Sequence, residues 1–248
     1  MCFDIIFKLS FSLYSNMLYL IGLGLDLNDI SLKALEAIKK SEKIYLETYT
    51  TTFPYKIQEL EKAIGKKVIP SNRETFENNV AALIAQAKRE DITILVYGDP
   101  LAATTHITIL REAETTKVKT QVIHNISIFN VVSETGLQLY KFGKTTSLPR
   151  WQENYKPISF LEIIKENLSI KAHSLILVDP GFNLKQAINQ LIESDKDKLL
   201  ADKTIIIASC LGTPKQKIEK GKIQQLTSKK IQEPFCIIVP SELNFSEK

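Results

Sequence analysis

A chain of 248 residues, 44% hydrophobic and 24% charged, has the composition of a globular protein, with room for one large core or two of ordinary size. Its net charge of +4 permits an acidic partner or nucleic acid without requiring one, and no apolar run approaches the roughly 20 residues of a membrane span. Cys2, Cys210 and Cys236 are odd in number and lack metal-ligand spacing, and the three histidines do not cluster. This argues against a disulfide framework or a zinc site and for a reducing compartment, the cytoplasm.

Residues 1–16 are apolar but interrupted by Asp4 and Lys8, with no basic start and no small-residue cleavage site, so they do not read as a signal peptide. Met17 directly precedes a strong strand, and the leader 1–16 is expected to lie outside the fold. Leu18-Tyr19-Leu20-Ile21 is that strand, and it runs into Gly22-Leu23-Gly24-Leu25. Ser31 caps a helix whose inward face is Leu32, Leu35 and Ile38, with Lys39 and Lys40 well placed at its end. Ile44-Tyr45-Leu46 is the next strand. Ile57, Leu60 and Ile64 line a helix ended by Gly65, Val68-Ile69 is a short strand, and 75–88 reads as one helix. Ile92-Thr93-Ile94-Leu95-Val96 is a β-branched strand suited to burial on both faces.

A second series starts at Gln121-Val122-Ile123, after a polar connector at 114–119. Helices follow at 128–135, 158–168 and 184–192, and strands at Ser174-Leu175-Ile176-Leu177-Val178, Ile205-Ile206-Ile207-Ala208 and 235–240. Asp195-Lys196-Asp197-Lys198 reads as a solvated charge run. Lys215, Lys217, Lys220, Lys222, Lys229 and Lys230 read as a solvated face, or as a docking surface for an acidic partner. The alternation of strand and helix predicts parallel sheet covered on both faces, in two α/β domains, 17–115 and 116–248.

The chemistry concentrates in Tyr97-Gly98-Asp99-Pro100-Leu101-Ala102-Ala103-Thr104-Thr105-His106. A buried strand, a Gly-Asp-Pro turn and a helix start place a carboxylate and backbone N–H groups at the carboxyl edge of a sheet, where open α/β proteins bind ligands. The two threonines offer hydroxyls for the helix start. An ordinary turn before a surface helix fits the same residue types. Gly22-Leu23-Gly24 is half of a dinucleotide-binding turn, but Leu27 stands where the third glycine belongs. Asp99, His124 with Ser127, Asp179, and Ser209 with Thr213 fall at strand ends, a pattern suited to a small polar ligand without phosphates. Each also has a structural reading: His124 as a hydrogen-bonded histidine, Ser127 as a helix cap, Asp179 as a turn residue.

Tyr19-Leu20-Ile21-Gly22-Leu23-Gly24-Leu25, the segment 98–106, His124-Asn125-Ile126-Ser127-Ile128 and Gly136-Leu137-Gln138-Leu139-Tyr140-Lys141-Phe142-Gly143-Lys144 occur in one order and spacing. Together they closely resemble the diphthine synthases, archaeal members of the tetrapyrrole-methylase-like methyltransferases, from Met17 almost to the C-terminus. The resemblance implies two α/β domains with S-adenosyl-L-methionine in the cleft between them, usually in a homodimer. It also implies methylation of the amino group of a 3-amino-3-carboxypropyl-histidine in translation elongation factor 2, with S-adenosyl-L-homocysteine as the other product. Carried over by position, the cofactor contacts fall on Leu25, Asp99, Ala102, Ser127, Ile128, Val178, Leu211 and Asn244, and no residue is assigned as catalytic base. No membrane, metal or nucleic acid is required. A sibling methyltransferase of a tetrapyrrole or ribosomal RNA, or a non-catalytic binder of a translation factor, are the competing readings.

Overall fold

The computed structural model describes residues 16–248, so the expectation for the leader falls, but for Asn16, outside them. The described strands form two five-stranded sheets. The first has the order β3-β2-β4-β1-β5: β1 is Met17–Gly22, β2 Lys43–Glu47, β3 Ile69–Ser71, β4 Ile92–Val96 and β5 Lys119–Ile123. All its pairings are parallel, and β1 and β4 at its centre are buried almost throughout, as parallel strands with helices on both faces should be. Pro70 is tolerated because β3 is an edge strand.

Helices α1 (Leu32–Lys40) and α2 (Ile57–Ile64) cover one face, and α3 (Val80–Ala87) and α4 (Ile107–Thr115) the other. Ser31 caps α1 as expected, its Oγ accepting from the Ala34 N–H at 3.1 Å. The buried face of α1, however, is Ala34, Ala37 and Ile38, and Leu32 is 80% exposed. Leu32 lies two residues before Ala34, about 200° around the axis at 100° per residue. The expected helix 75–88 is broken: Glu74–Asn78 is a wide turn whose Asn79 N–H reaches back to the Glu74 carbonyl at 2.9 Å, and α3 starts after it. That bulge turns Phe76 into the core.

The division into domains is expected near residue 115; β5 pairs with β1 from Met17↔Lys119 to Ile21↔Ile123, so the first sheet itself runs on to Ile123. The polar 114–119 stretch resembled a linker because β5 is an edge strand, exposed at Lys119 and Thr120.

After β5, α5 (Ile128–Val131) and a 3-10 turn closed by Gly136 lead to the second sheet, of order β6-β7-β10-β8-β9. Here β6 is Thr146–Leu148, β7 Ser174–Val178, β8 Thr204–Ser209, β9 Lys217–Lys222 and β10 Phe235–Val239. Parallel pairing fails in this sheet: only β6 and β7 are parallel, and β10 runs antiparallel between β7 and β8. Helices α6 (Ser159–Ser169), α7 (Leu184–Ser194) and α8 (Ile223–Leu226) pack on one face, over Ile176, Ile205, Ile207 and Ile237. The alternate residues, among them Leu175, Ile206, Ala208, Cys236 and Ile238, face Leu25, Ile126, Val131 and Tyr97, which joins the second sheet to the first half.

Of the lysine run, Lys217, Lys220 and Lys222 lie on β9, the edge of this sheet, and several side chains of the run are engaged within the molecule. Lys217 and Lys229 both bind Glu219 at 2.9 Å, Lys220 reaches the Thr135 carbonyl and Lys215 the Pro54 carbonyl. Lysines along an edge strand also discourage pairing with another chain.

Candidate functional site

The carboxyl ends of β1 and β4 are pinned to one another by two glycines. Gly24 and Gly98 exchange backbone hydrogen bonds at 3.1 and 2.9 Å, both with φ near +74°. A Cβ on Gly22 would lie 2.5 Å from the Gly98 carbonyl oxygen. The glycines of the first strand therefore serve close approach to the Gly-Asp-Pro turn, in keeping with the incomplete dinucleotide pattern. Asp29 closes the first loop by accepting from the N–H groups of Leu25 and Asp26, both at 2.8 Å.

Asp99 ties this rim to the start of the second half. Its Oδ1 accepts from the Leu101 N–H at 3.0 Å, and its Oδ2 from the Asn125 N–H at 3.2 Å, with His124 Nδ1 at 2.8 Å. Asn125 in turn donates to the carbonyls of Gly22 and Asp29. Ser127 precedes α5, where its N–H and hydroxyl both donate to Asn130 Oδ1. It is at once a helix-start residue and part of a cavity wall.

That cavity, open on one side, lies where the two sheets meet. Leu25, Asp99, Ala102, Ser127, Ile128, Val178 and Leu211 all line it, so seven of the eight residues singled out from the sequence come together. Asn244 does not. β10 is antiparallel to β7, so its end at Val239 lies beside Ser174, the start of β7. The chain beyond it leads away from the cavity, and the Asn244 amide points at the Tyr140 hydroxyl, 3.3 Å away. The opposite end of β10 supplies wall residues that the sequence reading missed: Pro234, Phe235 and Cys236. Thr50 and Thr51, just past the carboxyl end of β2, were also missed, although strand ends of that polarity are where ligands bind.

None of the lining residues is Lys, Arg or His, and Asp99 is the one carboxylate among them. Burial pushes the Cys236 thiol up to about 12 and raises Cys210 as well, so both thiols, side by side on the second sheet, stay protonated. Tyr97 donates its hydroxyl to the Leu25 carbonyl at 3.0 Å, and burial keeps its proton in place far above the ordinary range. The cavity thus offers apolar walls, backbone groups and one negative charge. It suits a ligand with a flat apolar body and a positive centre, and provides no cation for a phosphate.

Of the other strand-end residues, His124 is largely exposed. Asp179 accepts from the Arg150 N–H, Thr213 donates to the Cys210 carbonyl, and Ser209 donates to the Gln232 carbonyl. They shape the loops and do not line the cavity. The two threonines before α4 do not cap it: Thr104 donates to the Pro100 carbonyl and Thr105 to Glu77. Among the described residues no helix is long and apolar enough to cross a membrane, and no three His, Cys, Asp or Glu side chains gather as metal ligands.

The sequence profile of the tetrapyrrole (corrin/porphyrin) methylases matches residues 17–227. A diphthine synthase of Methanocaldococcus jannaschii is 39% identical, over 94% of this chain and 96% of its own length. The diphthine methyl ester synthase of Schizosaccharomyces pombe is 36% identical over 90% and 88%. A crystal structure of a diphthine synthase superposes with a TM-score of 0.84 at 33% identity, covering 93% of this chain and 92% of that one. With these relatives matching over nearly its whole length, the chain belongs to the tetrapyrrole methylases and, among them, to the diphthine synthases, the S-adenosylmethionine-dependent methyltransferases of diphthamide biosynthesis.

Proposed function

We propose that the cavity between the sheets is the S-adenosyl-L-methionine site. There the protein methylates the 3-amino-3-carboxypropyl group borne by a histidine of translation elongation factor 2. The observation that carries this reading is the composition of the wall: one carboxylate, no cationic side chain, and apolar faces from both sheets. Leu25, Ile128, Val178, Leu211 and Phe235 would hold the apolar parts of the cofactor. The backbone of 98–103 and Ser127 would meet its polar groups, and Asp99 would favour its positive centre. The cofactor supplies a methyl group already activated on a sulfonium. The protein's part is then to align the acceptor, and orientation of this kind contributes roughly 7–11 kcal/mol to lowering such a barrier. An α-amino group with a pKa of about 8 is partly neutral at pH 7, so the first transfer demands no dedicated base.

The relatives' names divide between diphthine synthase and diphthine methyl ester synthase. The acceptor is therefore the amine in one reading, and the carboxylate of the same group as well in the other. The protein acts in the cytoplasm, as a homodimer, on a protein substrate. Elongation factor 2 carrying the 3-amino-3-carboxypropyl group, incubated with labelled cofactor, should gain methyl groups, and the unmodified factor should gain none. Label released by mild alkali marks the ester, and label that survives marks the amine. Incorporation into neither form of the factor would overturn the assignment.

A further inference from the structure

His106 stands at the start of α4, but its side chain turns inward behind the Gly-Asp-Pro turn and is 1% exposed. Its Nδ1 lies 3.2 Å from the Pro100 carbonyl oxygen. A carbonyl only accepts, so Nδ1 carries the ring proton. Nε2 is buried with no partner among the described residues, and the ring meets Phe76 edge-on at 6.0 Å. Among the described residues Nδ1 alone of the two ring nitrogens makes a hydrogen bond, so the bond to Pro100 is what the ring contributes. The same Pro100 carbonyl accepts from the Thr104 hydroxyl at 2.7 Å. Between these two donors and their shared acceptor lies Ala103, with φ +56°, a left-handed conformation that an alanine keeps only when its surroundings impose it.

We propose that His106 is a positioning residue for the cofactor turn. Its Nδ1–H holds the Pro100 carbonyl, so that Ala103 stays left-handed and the backbone of 102–104 keeps its place in the cavity wall. The role goes beyond the cofactor reading of the cavity but rests on it. It also explains why the donor is an imidazole: a rigid ring held by Phe76 delivers its proton from the δ position, next to the main chain.

Two amides separate this role from simple filling of space. The side-chain nitrogen of asparagine can stand where Nδ1 stands, and that of glutamine where Nε2 stands. Binding of S-adenosyl-L-homocysteine is measured by calorimetry for the unaltered protein and for His106→Asn, His106→Gln and His106→Phe. His106→Asn should bind within about threefold of the unaltered protein, whereas His106→Gln and His106→Phe, lacking the bond, should bind about tenfold or more weakly. In turnover the loss should appear in KM for the cofactor, with kcat little changed. Equal binding by all variants, or an asparagine variant as weak as the glutamine one, would overturn the proposal. The amide pair decides it even if the phenylalanine variant does not fold. Failure of the unaltered protein to bind would overturn the reading of the cavity, and this role with it.

Discussion

Asp99 makes its contacts within the protein before any ligand arrives. The N–H groups of Leu101 and Asn125 and the His124 ring all converge on its carboxylate, so it sets the shape of the turn as well as the charge of the wall. Asp99→Ala leaves two backbone donors to find water, a loss of about 1–3 kcal/mol, which two buried sheets withstand. S-adenosyl-L-homocysteine affinity should fall by about tenfold or more, with the helical and strand circular dichroism retained; calorimetry showing unchanged affinity would refute the role. This residue was legible in the sequence because a strand, a glycine, an acid and a proline in succession constrain the backbone locally. Gly22 was legible only as a glycine. What requires it is the Gly98 carbonyl 2.5 Å from any Cβ, a contact made by a distant part of the chain. His106, likewise, gave no sign in the sequence that its ring is buried.

At the scale of elements, the apolar strands were readable, the polar edge strands β6 and β9 were not, and neither was strand direction in the second sheet. Phe235-Cys236-Ile237-Ile238-Val239 is apolar throughout, so it fits a parallel or an antiparallel neighbour equally well. Because it runs antiparallel to β7, it is the start of β10, at Phe235, that lines the cavity, while Asn244, carried over from the family by position, lies beyond its other end. The far end has a different task. Beyond β10 the chain closes with Glu247, whose carboxylate contacts Lys141 at 2.8 Å and the fully buried His173 at 3.0 Å, and accepts from the N–H groups of Gln138 and Asn244. Burial alone raises its pKa, but Lys141, the two N–H groups and His173 override it and bring it down to about 2. A carboxylate whose folded value lies below its unfolded one contributes stability that is full above the ordinary value of 4.5 and lost as pH falls through the folded value. Glu247→Gln should therefore lower Tm clearly at pH 6, and the gap from the unaltered protein should close between about pH 4.5 and 2. A gap that stays constant over that range would show that the charge is not what holds the terminal turn.

The described residues form two sheets whose facing rims line the cavity, and side-chain hydrogen bonds tie the segment after β2 to the second half. Thr52 donates to Glu233 at 2.7 Å, the same oxygen accepts from the Gly181 N–H at 2.8 Å, and Lys215 reaches the Pro54 carbonyl at 2.6 Å. The segment between β2 and α2 is thereby strapped to the second sheet, with Thr50 and Thr51 on one side of the cavity and Pro234 and Phe235 on another. Partly exposed hydrogen bonds like these are each worth about 1 kcal/mol, far less than opening either core, so the strap belongs to the part of the molecule that opens first. A ligand that touches both rims must stabilise both halves together. At a hundred times its Kd, S-adenosyl-L-homocysteine adds about 2.7 kcal/mol, which in a chain of this size raises Tm by roughly 5–11 °C. Glu233→Ala removes the acceptor shared by Thr52 and Gly181 without touching either core. Hydrogen exchange of the amides at 48–53 should then quicken about fivefold, the equivalent of 1 kcal/mol, and the bound product should leave faster, while exchange in β1 and β4 stays as it was. Unaltered exchange at 48–53 would mean that the strap is held by its own packing and that Glu233 only decorates it; quickened exchange in the central strands would mean that the two halves are coupled through the core and not across the mouth of the cavity.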